Sequence, residues 1–145
     1  MTETLRNEIE IAAPQATVFA FLTDPDKILR WMGTKATIEP HPGGIYLLSI
    51  NDAHTVRGQF TEVIPVHRLA YSFGWEGHEN VPPGSSLVEI DLIEKEGGTL
   101  VRFTHSGLPN ETERVNHEKG WNHYLRRLVV AAAGGDPGPD KPLNS

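Results

Sequence analysis

The last third of the chain holds its most constraining feature, a strand that ends in a turn and feeds one long helix. Val101, Phe103 and His105 alternate to one side of this strand, and a turn follows at Gly107-Leu108-Pro109. Helical spacing then predicts a single buried face, made by His117, Trp121, Tyr124, Leu125, Leu128 and Ala132. Because strand patterns dominate the rest of the chain, this helix is expected to bury its face against a sheet.

Residue types that favour helix termini mark both ends of this helix. Asn110 precedes Glu113 by three positions, the spacing of a capping box in which each side chain satisfies a backbone N–H of the first turn. Gly134-Gly135 follows the last apolar position, and glycine just beyond a helix commonly ends it. The pattern predicts a helix over 111–133.

Alternating apolar residues predict strands along most of the preceding chain. The clearest alternation runs over 69–75, and similar patterns lie at 5–11, 46–50, 56–64, 88–92 and 101–105. Pro14 at a first helical position, and Asp24-Pro25 as N-cap and first turn, indicate two short helices after the first strand. The predicted order is strand, two short helices, six strands and the long helix. Strands in unbroken succession pair antiparallel, so the predicted class is α+β.

Three stretches depart from regular patterning. The alternation is imperfect near Glu62-Val63, which indicates a β-bulge. The polar, proline-rich stretch 76–86 is predicted to be a mobile loop. Positions 135–145 are rich in proline, glycine and polar residues, which predicts a disordered tail behind a single domain at 1–134.

Several short segments, taken in their order along the chain, resemble the START-like (SRPBCC) superfamily. The resemblance is to the branch named after the activator of the heat-shock-protein-90 ATPase. The segments are Glu10-Ile11-Ala12-Ala13-Pro14, 18–25, Arg30-Trp31, Pro42-Gly43-Gly44, 58–63, Arg68-Leu69-Ala70-Tyr71, Thr104-His105-Ser106-Gly107 and Gly120-Trp121.

This resemblance implies a helix-grip fold, in which a curved seven-stranded antiparallel sheet wraps around the C-terminal helix and leaves a deep cavity. It implies no particular reaction, because a fold does not fix a function. The name of the branch also brings a chaperone partner and a role in the stress response into consideration. The chain departs from the family pattern at Ala13, where relatives place a capping serine or threonine, and at Met32, where a second tryptophan is common. The flexible methionine should soften one cavity wall.

Inward-facing strand positions and the helix face supply candidate ligand-binding residues. They are Trp31, Tyr46, Phe60, Phe73, Trp75, Val88, Ile90, Phe103, His105, Trp121 and Tyr124. These side chains either line a cavity, as concave apolar sites require, or simply fill the core. His105 is the one titratable group with inward parity, so it either orients a ligand or serves as a general base, or else bonds a backbone carbonyl. No inward carboxylate is expected, which predicts a mostly apolar cavity.

Composition argues against several other classes of function. The net charge of −6 comes without clustered lysine and arginine, so nucleic-acid binding is not expected. The chain lacks cysteine, and no apolar run is long enough to span a membrane, which makes a cytoplasmic protein the expectation. The seven histidines show no metal-ligand spacing, and no glycine-rich loop precedes a helix, so we expect no metal and no cofactor.

Three classes of function remain open. The first is a protein that binds a small hydrophobic or aromatic molecule without catalysis. The second is a co-chaperone or regulatory interaction module, and an exposed apolar patch would favour it. The third is a small cyclase-like or hydrolase-like enzyme that uses the same cavity. Many proteins of this fold form homodimers, but no segment of the sequence marks an interface.

Overall fold

The computed structural model describes residues 2–140 as seven strands and three helices. The strands are β1 (Glu3–Ile11), β2 (Lys35–Ile38), β3 (Ile45–Ser49), β4 (Thr55–Ile64), β5 (Arg68–Phe73), β6 (Ser86–Lys95) and β7 (Gly98–Leu108). The helices are α1 (Gln15–Thr23), α2 (Pro25–Ile28) and α3 (Glu111–Ala132). The element order is the predicted one, with one strand, two short helices, six strands and a long helix, although alternation alone locates six of the seven strands.

All seven strands form one antiparallel sheet in the order β1-β7-β6-β5-β4-β3-β2. The first strand therefore lies beside the last, and α1 and α2 carry the chain from one sheet edge to the other. Helix α3 lies across the inner face, where the Trp121 ring is 4.4 Å from Phe103 and 5.9 Å from Phe73 between centroids. This arrangement confirms the predicted α+β, helix-grip fold.

The strand that alternation does not locate is β2. It is a four-residue edge strand in which Ala36 and Ile38 are only partly buried, so the apolar contrast that marks the other strands is weak. The predicted bulge is present as a register shift between Phe60 and Glu62, where β4 pairs with β5. Regular pairing of β5 ends at Phe73 rather than at position 75, and Trp75 forms only an isolated bridge with Val56.

Close backbone packing of the 74–85 loop explains why β5 ends early. A Cβ on Gly74 would lie 1.9 Å from the carbonyl oxygen of Pro82, so only glycine allows this approach. The Trp75 N–H donates to the Val81 carbonyl at 2.8 Å, and Val81 itself is fully buried. The loop is therefore held at its centre by a buried apolar side chain.

Local signals account for the helix starts. The Asp24 side chain accepts a hydrogen bond from the Asp26 N–H at 2.9 Å, as predicted for an N-cap. Pro14 is the N-cap of α1 rather than its first residue, and no side chain caps this helix. In α3 the Asn110 side chain accepts from the Glu113 N–H at 2.9 Å.

The C-terminal end of α3 has the predicted glycine stop. Gly134 follows the helix with a φ of +95°, a left-handed conformation that glycine adopts without steric cost. Beyond it the chain returns toward α3, where the Asp140 carboxylate accepts hydrogen bonds at 2.8 Å from the Tyr124 hydroxyl and from His123 Nε2. Positions 141–145 of the predicted tail lie outside the described residues.

Candidate functional site

An open cavity of about 430 Å³ lies between the N-terminal half of α3 and the β3–β5 part of the sheet. Its floor and sides are mostly apolar and come from the inner faces of β3, β4 and β5, from the segment after α2 and from the loop after β5. These residues are Met32, Tyr46, Leu48, Ile50, Val56, Phe73 and Trp75. Strand parity turns Tyr46, Leu48, Val56 and Phe73 inward, because successive residues of a strand point to opposite faces.

The roof of the cavity is polar along much of its length. It is formed by residues of α3, namely Glu113, Asn116, His117, Lys119, Gly120, Trp121 and Tyr124, while His54 and His78 approach from loops. The expectation that no carboxylate faces the cavity is therefore wrong, because Glu113 of α3 lines it. The helix starts close to the cavity, so its first turns, which sequence reasoning assigned to capping and to the core, face the open volume.

Trp75 and His117 line the cavity and are joined by a hydrogen bond between their side chains. The indole Nε1–H of Trp75 donates to Nε2 of His117 at 3.0 Å, and an indole nitrogen can only donate. Nε2 therefore carries a lone pair, and the proton sits on Nδ1, which donates to the Glu113 carbonyl oxygen at 2.7 Å. Burial lowers the pKa of His117, which agrees with a neutral ring.

Glu113 brings a carboxylate into the cavity wall. The residue is 8% exposed, and its Oε2 accepts one hydrogen bond, from the Asn80 side-chain amide at 3.2 Å. The predicted capping box is only half formed within residues 2–140, because the carboxylate turns toward Asn80 and His117 instead of returning to the Asn110 N–H. An acidic side chain of the first turn thus becomes part of the cavity.

His105 lies beneath the cavity wall, fully buried, with both ring nitrogens engaged. The indole Nε1–H of Trp121 donates to its Nδ1 at 3.0 Å, so the ring proton is on Nε2, which donates to the Ser86 hydroxyl at 2.9 Å. Ser86 in turn donates to the Phe73 carbonyl at 2.8 Å. Burial, with a smaller contribution from the nearby His117, lowers the pKa of His105 to about 3.

The C-terminal half of the same helix packs against the sheet without leaving a usable space. A void of only about 10 Å³ remains there, too small to hold more than one water. It is surrounded by large side chains of α3, of the neighbouring strands and of the segment after α2, including Trp31, Tyr46, Ile90, Phe103, Trp121 and Leu125. The helix–sheet interface therefore has an open half and a closed half, and Trp121 and Tyr46 line both.

The predicted site residues fall into three groups. Those that line the open cavity are Tyr46, Phe73, Trp75, Trp121 and Tyr124. Trp31, Ile90 and Phe103 line only the small void of the closed half, together with Tyr46 and Trp121. Phe60, Val88 and His105 lie in the packed core and reach neither space.

Sequence reasoning left other lining residues out of its candidate set. Strand parity identifies Leu48 and Ile50 as inward, and the resemblance to relatives marks Met32 as a wall residue; all three line the cavity. Gly120 could have been noticed as a glycine in the middle of a helix, where it lowers stability relative to alanine. No signal in the sequence distinguishes Glu113 and His117 from ordinary residues of an amphipathic helix.

Tyrosines add hydroxyls at two edges of the cavity. The Tyr46 and Tyr71 rings stack with centroids 4.0 Å apart, and burial raises the pKa of Tyr46 to about 12, opposed by the neighbouring Tyr71 hydroxyl. Burial also raises the pKa of Tyr124, and its hydrogen bond to Asp140 acts in the same direction. Burial raises the pKa of Tyr71 as well, so all three hydroxyls are protonated at neutral pH, and the Tyr124 hydroxyl already donates its proton to Asp140.

Within residues 2–140, no three histidine, aspartate or glutamate side chains come together in an arrangement that could hold a metal ion. No helix in the same range combines the length and the apolar character needed to cross a bilayer.

The fold and this interface are those of a START-like helix-grip protein, and comparisons with known proteins give the family. The family model described as "Activator of Hsp90 ATPase homolog 1-like protein" matches residues 12–133. The chain therefore belongs to this AHSA1-like family, as the resemblance of its segments implies. No curated protein matches the chain at a significant level.

Solved structures support the same assignment. The solution NMR structure of an AHSA1-like protein from Rhizobium etli has 64% sequence identity and a TM-score of 0.79, and the match covers 97% of this chain and 88% of that one. CalU16 from Micromonospora echinospora has 27% identity and a TM-score of 0.71, with 92% and 76% covered. The Aha1 dimer from Colwellia psychrerythraea has 22% identity and a TM-score of 0.80, with 92% and 98% covered, which is a likeness of fold.

Proposed function

We propose that this protein binds a small hydrophobic or aromatic molecule in the open half of its helix–sheet interface. The observation that carries the proposal is the cavity of about 430 Å³, walled by aromatic and aliphatic side chains of three strands. Volumes of this size are typical of sites for small molecules, and burial of apolar area supplies the affinity. The described residues of the closed half, by contrast, leave no comparable space.

Gly120 offers a way to test this proposal without disturbing the fold. A Cβ added at this position would meet no atom within 4 Å, because the glycine faces the cavity. Gly120→Leu should therefore fill the cavity from the helix side. Since glycine in a helix interior costs about 1 kcal/mol relative to alanine, the variant should be at least as stable as the parent protein.

The measurement is fluorescence titration with the neutral apolar probe N-phenylnaphthylamine. Gly120→Leu should weaken probe binding by at least about tenfold, because overfilled sites lose complementarity. Two controls separate filling from other effects: Gly120→Ala, which adds one carbon, and Arg126→Leu, which adds the same side chain on an exposed part of α3. Equal affinity in all four proteins, or no binding in any, would contradict the proposal.

The co-chaperone alternative rests on the name of the family. The large hydrophobic residues that are exposed among residues 2–140 are Ile45, Ile64 and Val130, which lie on three different elements. A docking surface for a chaperone would require a continuous apolar patch, so the cavity supports a ligand-binding role better. A small enzyme would use the same cavity, but both ring nitrogens of His105 and of His117 are already engaged.

Homodimer formation is a further part of the proposal. Its support is the Colwellia psychrerythraea Aha1 structure, which is described as a dimer and shares the fold. Light scattering coupled to size exclusion would measure the mass in solution, and a mass of one chain at working concentrations would count against it.

A further inference from the structure

The cavity contains a buried negative charge whose partners do not neutralise it. Glu113 is 8% exposed, and the side-chain hydrogen bond that its carboxylate accepts within residues 2–140 comes from the neutral Asn80 amide at 3.2 Å. An ionised carboxylate accepts several hydrogen bonds, and a buried charge is costly unless it is paired. The free protein therefore leaves acceptor capacity on Glu113 facing the open volume.

His117 is the basic side chain closest to this carboxylate, with Nδ1 3.7 Å from Oε1 of Glu113. It does not supply a positive charge, because a protonated imidazole would direct an N–H at the Trp75 indole N–H, which is itself a donor. His105, across the interface, is held neutral by the Trp121 indole in the same way. His78 also lines the cavity, and its Nδ1 accepts a hydrogen bond from the Val81 N–H at 3.1 Å, so this nitrogen carries a lone pair rather than a proton.

The other cations near Glu113 are directed elsewhere or exposed. Arg114 follows it in the helix, but its guanidinium contacts Glu3, Glu111 and Glu118. Lys119 lies at the exposed rim of the cavity, two turns along α3 from the first turn. Neither forms an ion pair with Glu113 among the described residues.

We infer that the ligand of this cavity carries a cationic amine on an apolar body, with the ammonium group bound by Glu113. This inference rests on the proposed ligand-binding function and adds the charge of the ligand. The amine would replace the missing counter-charge, while the aromatic and aliphatic walls of the sheet side, Tyr46, Leu48 and Trp75 among them, would cover the apolar body. Binding would then neutralise a buried charge that lowers the stability of the free protein.

Three probes of the same shape separate charge from apolar contact: naphthylethylamine, naphthylethanol and naphthylacetic acid, measured by calorimetry at neutral pH. Hydrogen bonds to charged groups are stronger than neutral ones, so the amine should bind about tenfold more tightly than the alcohol, and the acid most weakly. Glu113→Gln removes the charge and keeps the shape. In this variant the amine should lose its advantage, while the affinity for the alcohol stays within about twofold.

Lys119→Gln is the matched control, because Lys119 is the other charged residue of the cavity lining. It should leave the preference for the amine in place. If the acid bound most tightly and lost this advantage in Lys119→Gln, the inference would be overturned. Equal binding of the amine and the alcohol by the parent protein would overturn it as well. In either case binding of N-phenylnaphthylamine that Gly120→Leu blocks would leave the proposed function standing. Failure of every probe would overturn both.

Discussion

The two halves of the helix–sheet interface use the same helix and the same sheet, yet only one of them is filled. In the closed half, Trp121, Leu125 and Leu128 of α3 meet Phe103 and Ile90 of the sheet, and about 10 Å³ remains. In the open half, α3 contributes a glutamate, an asparagine, a histidine, a lysine and a glycine besides Trp121 and Tyr124, and about 430 Å³ remains. The helix positions that face the sheet are therefore mostly polar, or lack a side chain, in the open half, and are large and apolar in the closed half.

This contrast indicates that the closed half stabilises the fold and the open half is available for binding. Packed interiors tolerate few voids, because lost contacts and lost burial both reduce stability. A chain that places Gly120 and Asn116 where leucine would fill the space gives up part of that stability. Trp121, which lies at the boundary and packs into the closed half, and Trp75, which lines only the open half, allow the contrast to be measured.

The largest expected difference is between two tryptophan truncations. Trp121→Ala should reduce the free energy of unfolding by about 3–5 kcal/mol, because it removes a buried ring and leaves His105 Nδ1 without its donor. Trp75→Ala should cost only about 1–2 kcal/mol, since this ring is partly exposed and faces the open volume. Urea melts measure both. Similar losses, or a loss below about 1 kcal/mol for Trp121→Ala, would contradict the division into two halves.

A second effect comes from pH and from His105, whose ring joins Trp121 to the sheet. Its pKa is about 3 in the folded chain and returns to about 6.5 on unfolding, so below pH 6.5 the unfolded chain takes up a proton that the folded chain does not. Stability should fall by about 2 kcal/mol between about pH 7 and pH 5 from this group, and His117 acts in the same direction. The stability contributed by the neutral His105 ring is fully present above about pH 6.5 and is lost as the pH falls below that value.

The measurement is urea unfolding at both pH values, with His105→Gln as the comparison. A glutamine offers an acceptor and a donor but takes up no proton in this range. The variant should lose most of the dependence between pH 7 and pH 5. An equally steep dependence in the variant would mean that other groups cause it.

The smallest effect concerns the open half itself. Gly120→Ala should raise the free energy of unfolding by about 0.5–1 kcal/mol, because alanine is the better helix former and its Cβ meets nothing within 4 Å. A thermal melt measures this gain. Destabilisation would show that the helix backbone at this position is tightly packed, and the cavity would then have no room on its helix side.

The sequence was sufficient to predict the fold because the strands and the helix have strong periodic patterns. Tyr46, Phe73 and Phe103 each have the inward parity that alternation assigns, and all are buried. Parity predicts which face of the sheet a side chain lies on. It does not predict whether other side chains fill the space in front of that face. That is why Phe60 and Val88, which have the same parity as Phe73, lie in the packed core instead of the cavity.

The polar roof could not be predicted for a different reason. Glu113 fits a capping box and His117 fits an amphipathic face, so local rules account for both without a cavity. Their roles depend on Asn80 and Trp75, which lie 33 and 42 positions away in sequence. Such hydrogen bonds between distant loops and a helix leave no periodic trace. The same holds for His105, whose inward parity was predicted but whose partners, Trp121 and Ser86, were not.

The most direct test of a ligand site in the open half uses the three tryptophan indole N–H groups as reporters. Their partners differ: Trp75 donates to His117, Trp121 to His105, and Trp31 to the Phe21 carbonyl. In a ¹⁵N-resolved NMR titration with N-phenylnaphthylamine, the Trp75 resonance should shift most, Trp121 less and Trp31 least. A largest shift at Trp31, equal shifts at all three, or none at saturating probe would contradict the account.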